Sequence, residues 1–469
     1  MAHRISTGIP NLDSAIEGGF PEGSLLLLAG APGTGKTVFG MKFLLYGTIC
    51  CGEPGVLVSF SEGKEALIEN TISHLKCKVN DFKDIEILDF VAVKEKGLES
   101  VMEMIIRSVD TREAKRLVID SFTAMTTGLE EKVDARILAH VLGKLVKQTK
   151  CTTILITEIP IGTKKIGMGI EEFVADGVII LSKKVQNNRV MREMDILKLR
   201  GTKMERPRYL FTLKDGFQVF PKFTFQMPEL KKEFKPRPDT TTHFSSGSED
   251  LDGLLDGGWR RGSINLIEVE PQIDTMALLN LISITALNFV MHGNGFLIFD
   301  PLLFSTNVVK EYLKPFVRED RLNQMVRCFE VATSSPEENK IVLNLKGGKP
   351  SEDLDTIFKA LKEIGLPDKP AYRFLSLNAI ADYYKEDFVA SVLTYGTEKT
   401  RRTDSLLVLS AFTNFEKIQS VSNVATTHLK LREVNGAAVL YGIKPQTCYH
   451  VTEVDTSKGY PDLKLTPIL

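Results

Sequence analysis

The most chemically pointed stretch of this 469-residue chain is Gly30-Ala31-Pro32-Gly33-Thr34-Gly35-Lys36-Thr37. It satisfies G-x-x-x-x-G-K-[ST], a spacing in which glycines let a loop wrap with its amides inward and a lysine follows at the start of a helix. That combination suits phosphate. The loop amides and the helix start supply positive potential, Lys36 reaches β- and γ-phosphates, and the Thr37 hydroxyl ligates Mg²⁺, so ATP and Mg²⁺ are the expected ligands. The metal shell needs a second anchor at the end of a neighbouring strand. Arg116-Leu-Val-Ile-Asp120 supplies one, because an apolar run closing on a carboxylate places Asp120 at the strand's C-terminal edge.

Hydrolysis also needs a group that orients or deprotonates water. Glu62, just past the apolar run Val56–Phe60, is the first candidate; Glu158, after Ile154–Thr157, is the second and alternatively senses the γ-phosphate. Further along, Lys183, Lys184, Arg189, Arg192, Lys198, Arg200, Lys203, Arg206 and Arg208 outnumber Glu193, Asp195 and Glu205. Such a patch has two uses: contacting nucleic-acid phosphates, or entering a neighbouring subunit's nucleotide site as cationic fingers. Lys198-Leu199-Arg200 favours fingers, since residues i and i+2 of a strand share a face.

These groups need a scaffold that ends several strands beside one loop. Leu25–Ala29, Val56–Phe60, Ile85–Phe90, Leu117–Ile119, Thr153–Thr157 and Gly177–Leu181 read as strands, and the segments after Lys36, Glu62, Gly97 and Lys132 as helices. Continuous apolar strands alternating with helices predict an α/β fold, a mostly parallel central sheet flanked by helices. Arg192–Leu199 and Arg208–Val219 alternate in polarity and predict an appended β-hairpin at the sheet edge.

The chain repeats itself. Gly8, Leu12, Asp13, Gly18, Gly19, Gly23 and Ser24 recur as Gly247, Leu251, Asp252, Gly257, Gly258, Gly262 and Ser263, each 239 residues later. A period of that size is a domain duplication rather than a short-repeat solenoid. The expected domains are 1–235 and 236–469, joined through Pro221–Pro238, whose prolines and charges resist regular structure.

The first half resembles the RecA/RadA-type ATPases and, within them, the KaiC-like branch. The resemblance rests on Gly8-x-x-x-Leu12-Asp13, Gly18-Gly19, Gly30–Thr37, Asp120, Glu172–Gly177 and Lys198-Leu-Arg200-Gly201-Thr202. It implies tandem RecA-like P-loop domains, nucleotide held between the subunits of a homo-oligomer, usually a ring of six, and Lys198 and Arg200 donated in trans. KaiC-like domains commonly carry paired glutamates after the second strand. Here Ser61-Glu62 stands in their place, which implies slow turnover.

The second half has lost that chemistry. The same offset sets Val269 against Gly30, Gln272 against Gly33, Asp274 against Gly35, Thr275 against Lys36 and Met276 against Thr37, and Leu406–Ser410 brings no carboxylate comparable with Asp120. Gly442 and Lys444 fall roughly where Lys198 and Arg200 would. A retained fold with a vacated site, a pseudo-ATPase domain, is expected.

Composition excludes some functions. Fifty-nine Lys+Arg against 60 Asp+Glu leave a formal charge of −1, so no global field draws the chain to polyanions. Six cysteines lie without any C-x-x-C pair, against a zinc site or a disulfide framework. Met276–Met291 is apolar yet spans only about 24 Å as a helix, short of the roughly 30 Å hydrocarbon layer, so a buried helix and no membrane span are expected. With no apolar leader at the N-terminus the expected location is cytoplasmic. Three functions follow: an Mg²⁺-dependent regulatory ATPase with an unidentified protein partner; a recombinase accessory protein binding single-stranded DNA through Ile161–Gly169, with Lys164 and Lys165, which is less favoured because that loop has no aromatic for base stacking; or a nucleotide-gated adaptor with little turnover.

Overall fold

The computed structural model describes residues 3–91, 98–126, 132–160, 162, 174–331, 341–348, 350–363, 369–384 and 386–469. The loop Ile161–Gly169, apart from Gly162, and Glu172 lie outside the described residues. The chain divides into two compact units, residues 1–221 with 467–469, and residues 222–466.

In the first unit β1 (Arg4–Ile5) pairs antiparallel with β2 (Phe20–Pro21). The main strands are β3 (Leu25–Gly30), β4 (Gly55–Ser59), β5 (Ile85–Asp89), β6 (Arg116–Asp120), β7 (Thr152–Glu158), β8 (Gly177–Gln186), β9 (Arg189–Leu199), β10 (Arg208–Thr212) and β11 (Gln218–Phe220). They form one sheet in the order β11-β10-β9-β8-β3-β7-β6-β4-β5. From β8 to β5 every pairing is parallel. Such a sheet must be covered on both faces, and β3 shows how the sequence meets that demand. Leu26 and Leu28 enter one core cluster with Phe39, Phe43 and Leu44 of the helix Lys36–Tyr46. Leu25, Leu27 and Ala29 enter the other, with Ile105 and Leu142.

The edge element is larger than the predicted hairpin. β8 runs past Leu181 to Gln186, turns at Asn187 and Asn188 in the left-handed region (φ 50° and 59°), and returns as β9. β9 pairs antiparallel with β8 and then with β10, which pairs with β11, giving a four-strand antiparallel meander.

The second unit repeats this plan. β12 (His243–Phe244) pairs with β13 (Trp259–Arg260). The strands β14 (Ile264–Val269), β15 (Gly295–Phe299), β16 (Val326–Val331), β17 (Val342–Leu345), β18 (Ala371–Ser376), β19 (Leu406–Phe412), β20 (Thr427–Val434), β21 (Ala437–Lys444), β22 (His450–Asp455) and β23 (Asp462–Pro467) follow. Their order is β17-β16-β15-β18-β19-β14-β20-β21-β22-β23. The helix Thr275–Met291 is buried on all sides from Ala277 to Val290, as expected of a core helix, and no described helix is long and apolar enough to cross a membrane.

The repeated glycine-aspartate motif proves to be a structural clamp. Asp13 Oδ1 accepts from Thr7 N at 2.8 Å and Oδ2 from Ser6 Oγ; Asp252 Oδ1 accepts from Ser246 N at 2.6 Å and Oδ2 from Ser245 Oγ at 2.6 Å. Gly19 and Gly258 hold φ 126° and 107°, and a Cβ there would fall 2.2 Å from Ile5 O and 2.3 Å from Phe244 O. Only glycine fits where the β1–β2 and β12–β13 turns press this closely.

Pro221–Pro238 forms no regular element but is strapped onto the second unit. Phe223 and Phe234 are buried, Phe223 N donates to Gly436 O (2.8 Å), and Phe234 N donates to Phe316 O (2.9 Å).

Candidate nucleotide site

Residues Gly30 to Gly35 make the turn from β3 to the helix Lys36–Tyr46. Gly35, the residue before that helix, sits at φ 99°, ψ 18°, and Gly33 at φ 73°, left-handed conformations that let the loop curl. Gly30 has no room for a side chain, since a Cβ would lie 2.6 Å from Leu181 O and from Thr34 Oγ1. Thr34 is buried and its hydroxyl donates to Ala31 O at 2.8 Å, which braces the loop, while Pro32 and Gly33 face outward.

Lys36 Nζ donates to Gly30 O (2.9 Å) and Ala31 O (3.1 Å), so the ammonium is held inside the curl. Burial pulls its pKa below the ordinary lysine value, against the opposite pull of Glu158 and Asp120. Thr37 Oγ1 donates to Asp120 Oδ2 at 2.6 Å, joining the helix to the end of β6. Burial raises the Asp120 carboxyl, Thr37 and Lys36 lower it, and the charges of Glu62 and Glu158 push it up again. The five groups thus share one electrostatic neighbourhood, one ammonium among three carboxylates and a hydroxyl. A curl with left-handed glycines, a buried lysine and a hydroxyl-carboxylate pair fits a triphosphate with Mg²⁺.

Glu62 follows β4, with Ser59 Oγ donating to its carbonyl at 2.6 Å and Asn70 Nδ2 donating to its Oε2 at 3.1 Å. Glu158 ends β7 in register with Gly30, and its amide donates to Thr123 Oγ1 at 3.0 Å. Sequence reasoning missed Asn70, which aims Glu62 from the helix Lys64–Leu75. It also did not single out Arg192, which is buried and donates from Nη1 to Gly33 O at 3.2 Å. Neither has a sequence signal: Met191 to Glu193 are all buried, so β9 does not alternate there.

Lys198 and Arg200 come together, but away from this loop. Lys198 Nζ donates to Ala175 O (2.6 Å), and Arg200 Nη1 pairs with Asp176 Oδ1 (3.3 Å). Arg200 lies just past β9, beyond the row Leu199–Gly177, whereas Gly30 pairs with Leu181. At about 3.3 Å per residue along the strands and about 4.8 Å for each of the two strand steps from β3 to β9, the pair sits roughly 14–19 Å from Gly30, at the end of the sheet where β3 and β8 begin.

The second unit's counterpart is different in kind. The helix Thr275–Met291 starts at the residue matching Lys36, but Asp274 has φ −60° and its Oδ1 accepts from Met276 N at 2.9 Å. A carboxylate thus satisfies a helix-start amide that a phosphate would use. One expectation needs correcting. Leu406–Ser410 is not the counterpart of Asp120's strand: β19 pairs with β14 as β7 pairs with β3, and β18 takes the place of β6. By register Ser376 stands where Asp120 does, and Phe412, opposite Val269, where Glu158 does. The strand Ala371–Ser376 escaped notice because Arg373 breaks its apolar run.

Beside Ser376 lies Asp300, directly after β15. Its Oδ2 accepts from Ser410 Oγ at 3.5 Å, and Oδ1 is buried without a partner. Burial pushes this carboxyl up to about 7, with hydrogen bonds from Leu303, Ser376 and Ser410 opposing. The folded chain therefore holds a proton that the unfolded chain releases near the ordinary value of 3.8. The second unit's stability should fall as pH rises from about 4 to 7, by at most about 1.4 kcal/mol per pH unit. Asp300→Asn should flatten that slope in urea titrations; an unchanged slope refutes the assignment.

An α/β sheet whose central strand runs into a glycine-rich curl, a buried lysine and a threonine-aspartate pair defines a P-loop nucleotide-binding domain of the RecA-like class. Residues 5–222 match the family described as ATPase: KaiC. The circadian clock oscillator protein KaiC of Thermostichus vulcanus is 31% identical over 278 residues, 56% of this chain and 51% of that protein. KaiC of Synechococcus elongatus is 33% identical over 279 residues, 56% of this chain and 51% of that protein. A crystal structure of the KaiC-like protein PH0186 from Pyrococcus horikoshii aligns at 36% identity and a TM-score of 0.43, over 47% of this chain and 100% of that one. The first unit thus carries a KaiC-like ATPase domain, homologous to KaiC. The chain spans about half the length of the curated relatives it matches.

Proposed function

We propose that the first unit binds ATP with Mg²⁺ and hydrolyses it slowly at the interface of a homo-oligomer, and that the second unit is a pseudo-ATPase domain that transmits or receives the resulting conformational change. The observation that carries this reading is the 2.6 Å link from Thr37 to Asp120 beside a lysine already held within the loop. Thr37 and Asp120 hold the metal shell, and Lys36 with the amides of Gly33 to Thr37 holds the phosphates. When bound, Mg²⁺ neutralises charge on the β- and γ-phosphates. Glu62, aimed by Asn70, takes the water's proton, and Glu158 reads the γ-phosphate from beside Gly30. Lys198 and Arg200, set at the far edge of their own sheet, serve a neighbouring protomer, and a ring of six is the arrangement that the family resemblance implies.

The purified chain should release phosphate from ATP when Mg²⁺ is present and stop when it is chelated. Glu62→Gln should slow that release by about 10²- to 10⁴-fold, the range of a lost general base, and Glu158→Gln by less. Tight ATP binding with no release above background would select the nucleotide-gated adaptor instead, a reading that Ser61 in place of a second glutamate supports.

A further inference from the structure

The second unit holds a partly open pocket of about 150 Å³ on the sheet face opposite the helix Thr275–Met291, beneath the helices Pro350–Glu363 and Glu386–Arg402. Its walls are apolar: Leu297, Phe299, Phe329, Leu345, Ile380 and Val392. Cavities of about this volume lined by such side chains stay dry and accept benzene. This one departs from that type in being partly open and in carrying charged groups, above all Arg373 of β18.

Register shows how unusual that is. With Ser376 standing for Asp120, Arg373 stands for Leu117, a wholly buried core residue of the first unit. Arg373 Nη1 donates to Thr400 Oγ1 at 3.3 Å, but its Nε is buried with no hydrogen-bond partner. No carboxylate among the described residues forms an ion pair with it. Asp353, the one acid among the described lining residues, is already committed: Oδ1 accepts from Lys346 N (2.7 Å), and Oδ2 from Gly347 N (2.8 Å) and Tyr384 Oη (2.9 Å). Lys399 lines the same space and adds a second positive group. Burial moves Arg373 down to about 10, still charged at neutral pH, and Lys399 is lowered by burial and by Arg373 itself.

A guanidinium with a buried, unused donor is costly unless an anion completes it. The walls argue against a bare hydrated ion, and the volume against a nucleotide. A guanidinium fork matches a carboxylate, and the apolar remainder matches a ring or a branched alkyl group. We propose that this cavity binds a small organic carboxylate with a benzene-sized apolar body, its carboxylate on Arg373 and its body among Leu297, Phe329 and Val392.

The test uses the full chain and three probes of one shape: benzoate, toluene and benzylamine, measured by ligand-observed NMR and calorimetry. Benzoate should bind at least tenfold more tightly than toluene, and benzylamine should not bind. Arg373→Met should weaken benzoate at least tenfold while leaving toluene within threefold, and Val392→Trp, which fills the space but keeps the charge, should abolish both. Should Arg373→Met fail to fold, the wild-type ranking decides alone. The site is refuted if benzoate shows no binding at millimolar concentration, if toluene equals it, or if either variant binds it as the wild type does.

Discussion

Lys36→Ala should abolish ATP turnover, lowering it at least 10²-fold, while Thr275→Ala, at the matching place in the second unit, should leave it within twofold. The expectation follows from the charges around the loop. The Lys36 ammonium sits within the curl, held on Gly30 O and Ala31 O, and it feels Asp120 and Glu158 directly. Without it a triphosphate meets Asp120, Glu62 and Glu158 with the loop amides and Arg192, which sits on Gly33 O, to oppose them. One unit charge at about 5 Å in an effective dielectric of about 20 is worth on the order of 3 kcal/mol, about 100-fold in rate. Thr275 has no such place, since Asp274 already occupies that helix start. A phosphate-release assay on the two purified variants decides it: turnover surviving in Lys36→Ala, or lost in Thr275→Ala, would contradict the division of labour.

The second large effect concerns Arg200. Its ion pair with Asp176 holds it at the edge where β8 begins, remote from its own loop but exposed enough to meet another molecule. Arg200→Ala should lower turnover about 10³-fold or more, the range for a lost arginine finger, while changing ATP affinity little. Mixing supplies the sharper readout. Neither Lys36→Ala nor Arg200→Ala protomers should be active alone. In a ring of both, the loop of an Arg200→Ala protomer can face the intact finger of a Lys36→Ala neighbour, so about a quarter of the interfaces regain a complete site. Recovery on mixing places the finger in trans. No recovery, or an Arg200→Ala chain within threefold of wild type, removes Arg200 from the reaction.

What was legible in the sequence were the features whose physics is local. Gly30 to Thr37 announces itself because a phosphate curl needs glycines and a lysine at fixed offsets, and Asp120 because it closes an apolar strand. The duplication was legible for a similar reason: Asp13 and Asp252 clamp residues six and seven positions earlier, so the whole device lies within a short stretch. Features that depend on distant pairing were not. That β18 rather than β19 replaces Asp120's strand emerges only from the sheet order. Nothing in Pro221–Pro238 says that Phe223 and Phe234 strap it down, because their backbone partners, Gly436 and Phe316, lie far along the chain. The distance of Arg200 from its own loop is likewise a matter of register between β8 and β9. Arg373 reads in sequence as one more surface charge, and only its pairing with Leu297 and Leu407 puts it into a core position.

The two curls make opposite demands on nucleotide: one presents left-handed glycines, a lysine and a threonine-aspartate pair, the other a helix start already closed by Asp274. Titrating the full chain with a non-hydrolysable ATP analogue and Mg²⁺, and counting nucleotide per chain by calorimetry, separates them most directly. One nucleotide per chain is the result expected; two per chain, or none, would contradict a working loop at Gly30–Thr37 paired with a closed one at Val269–Met276.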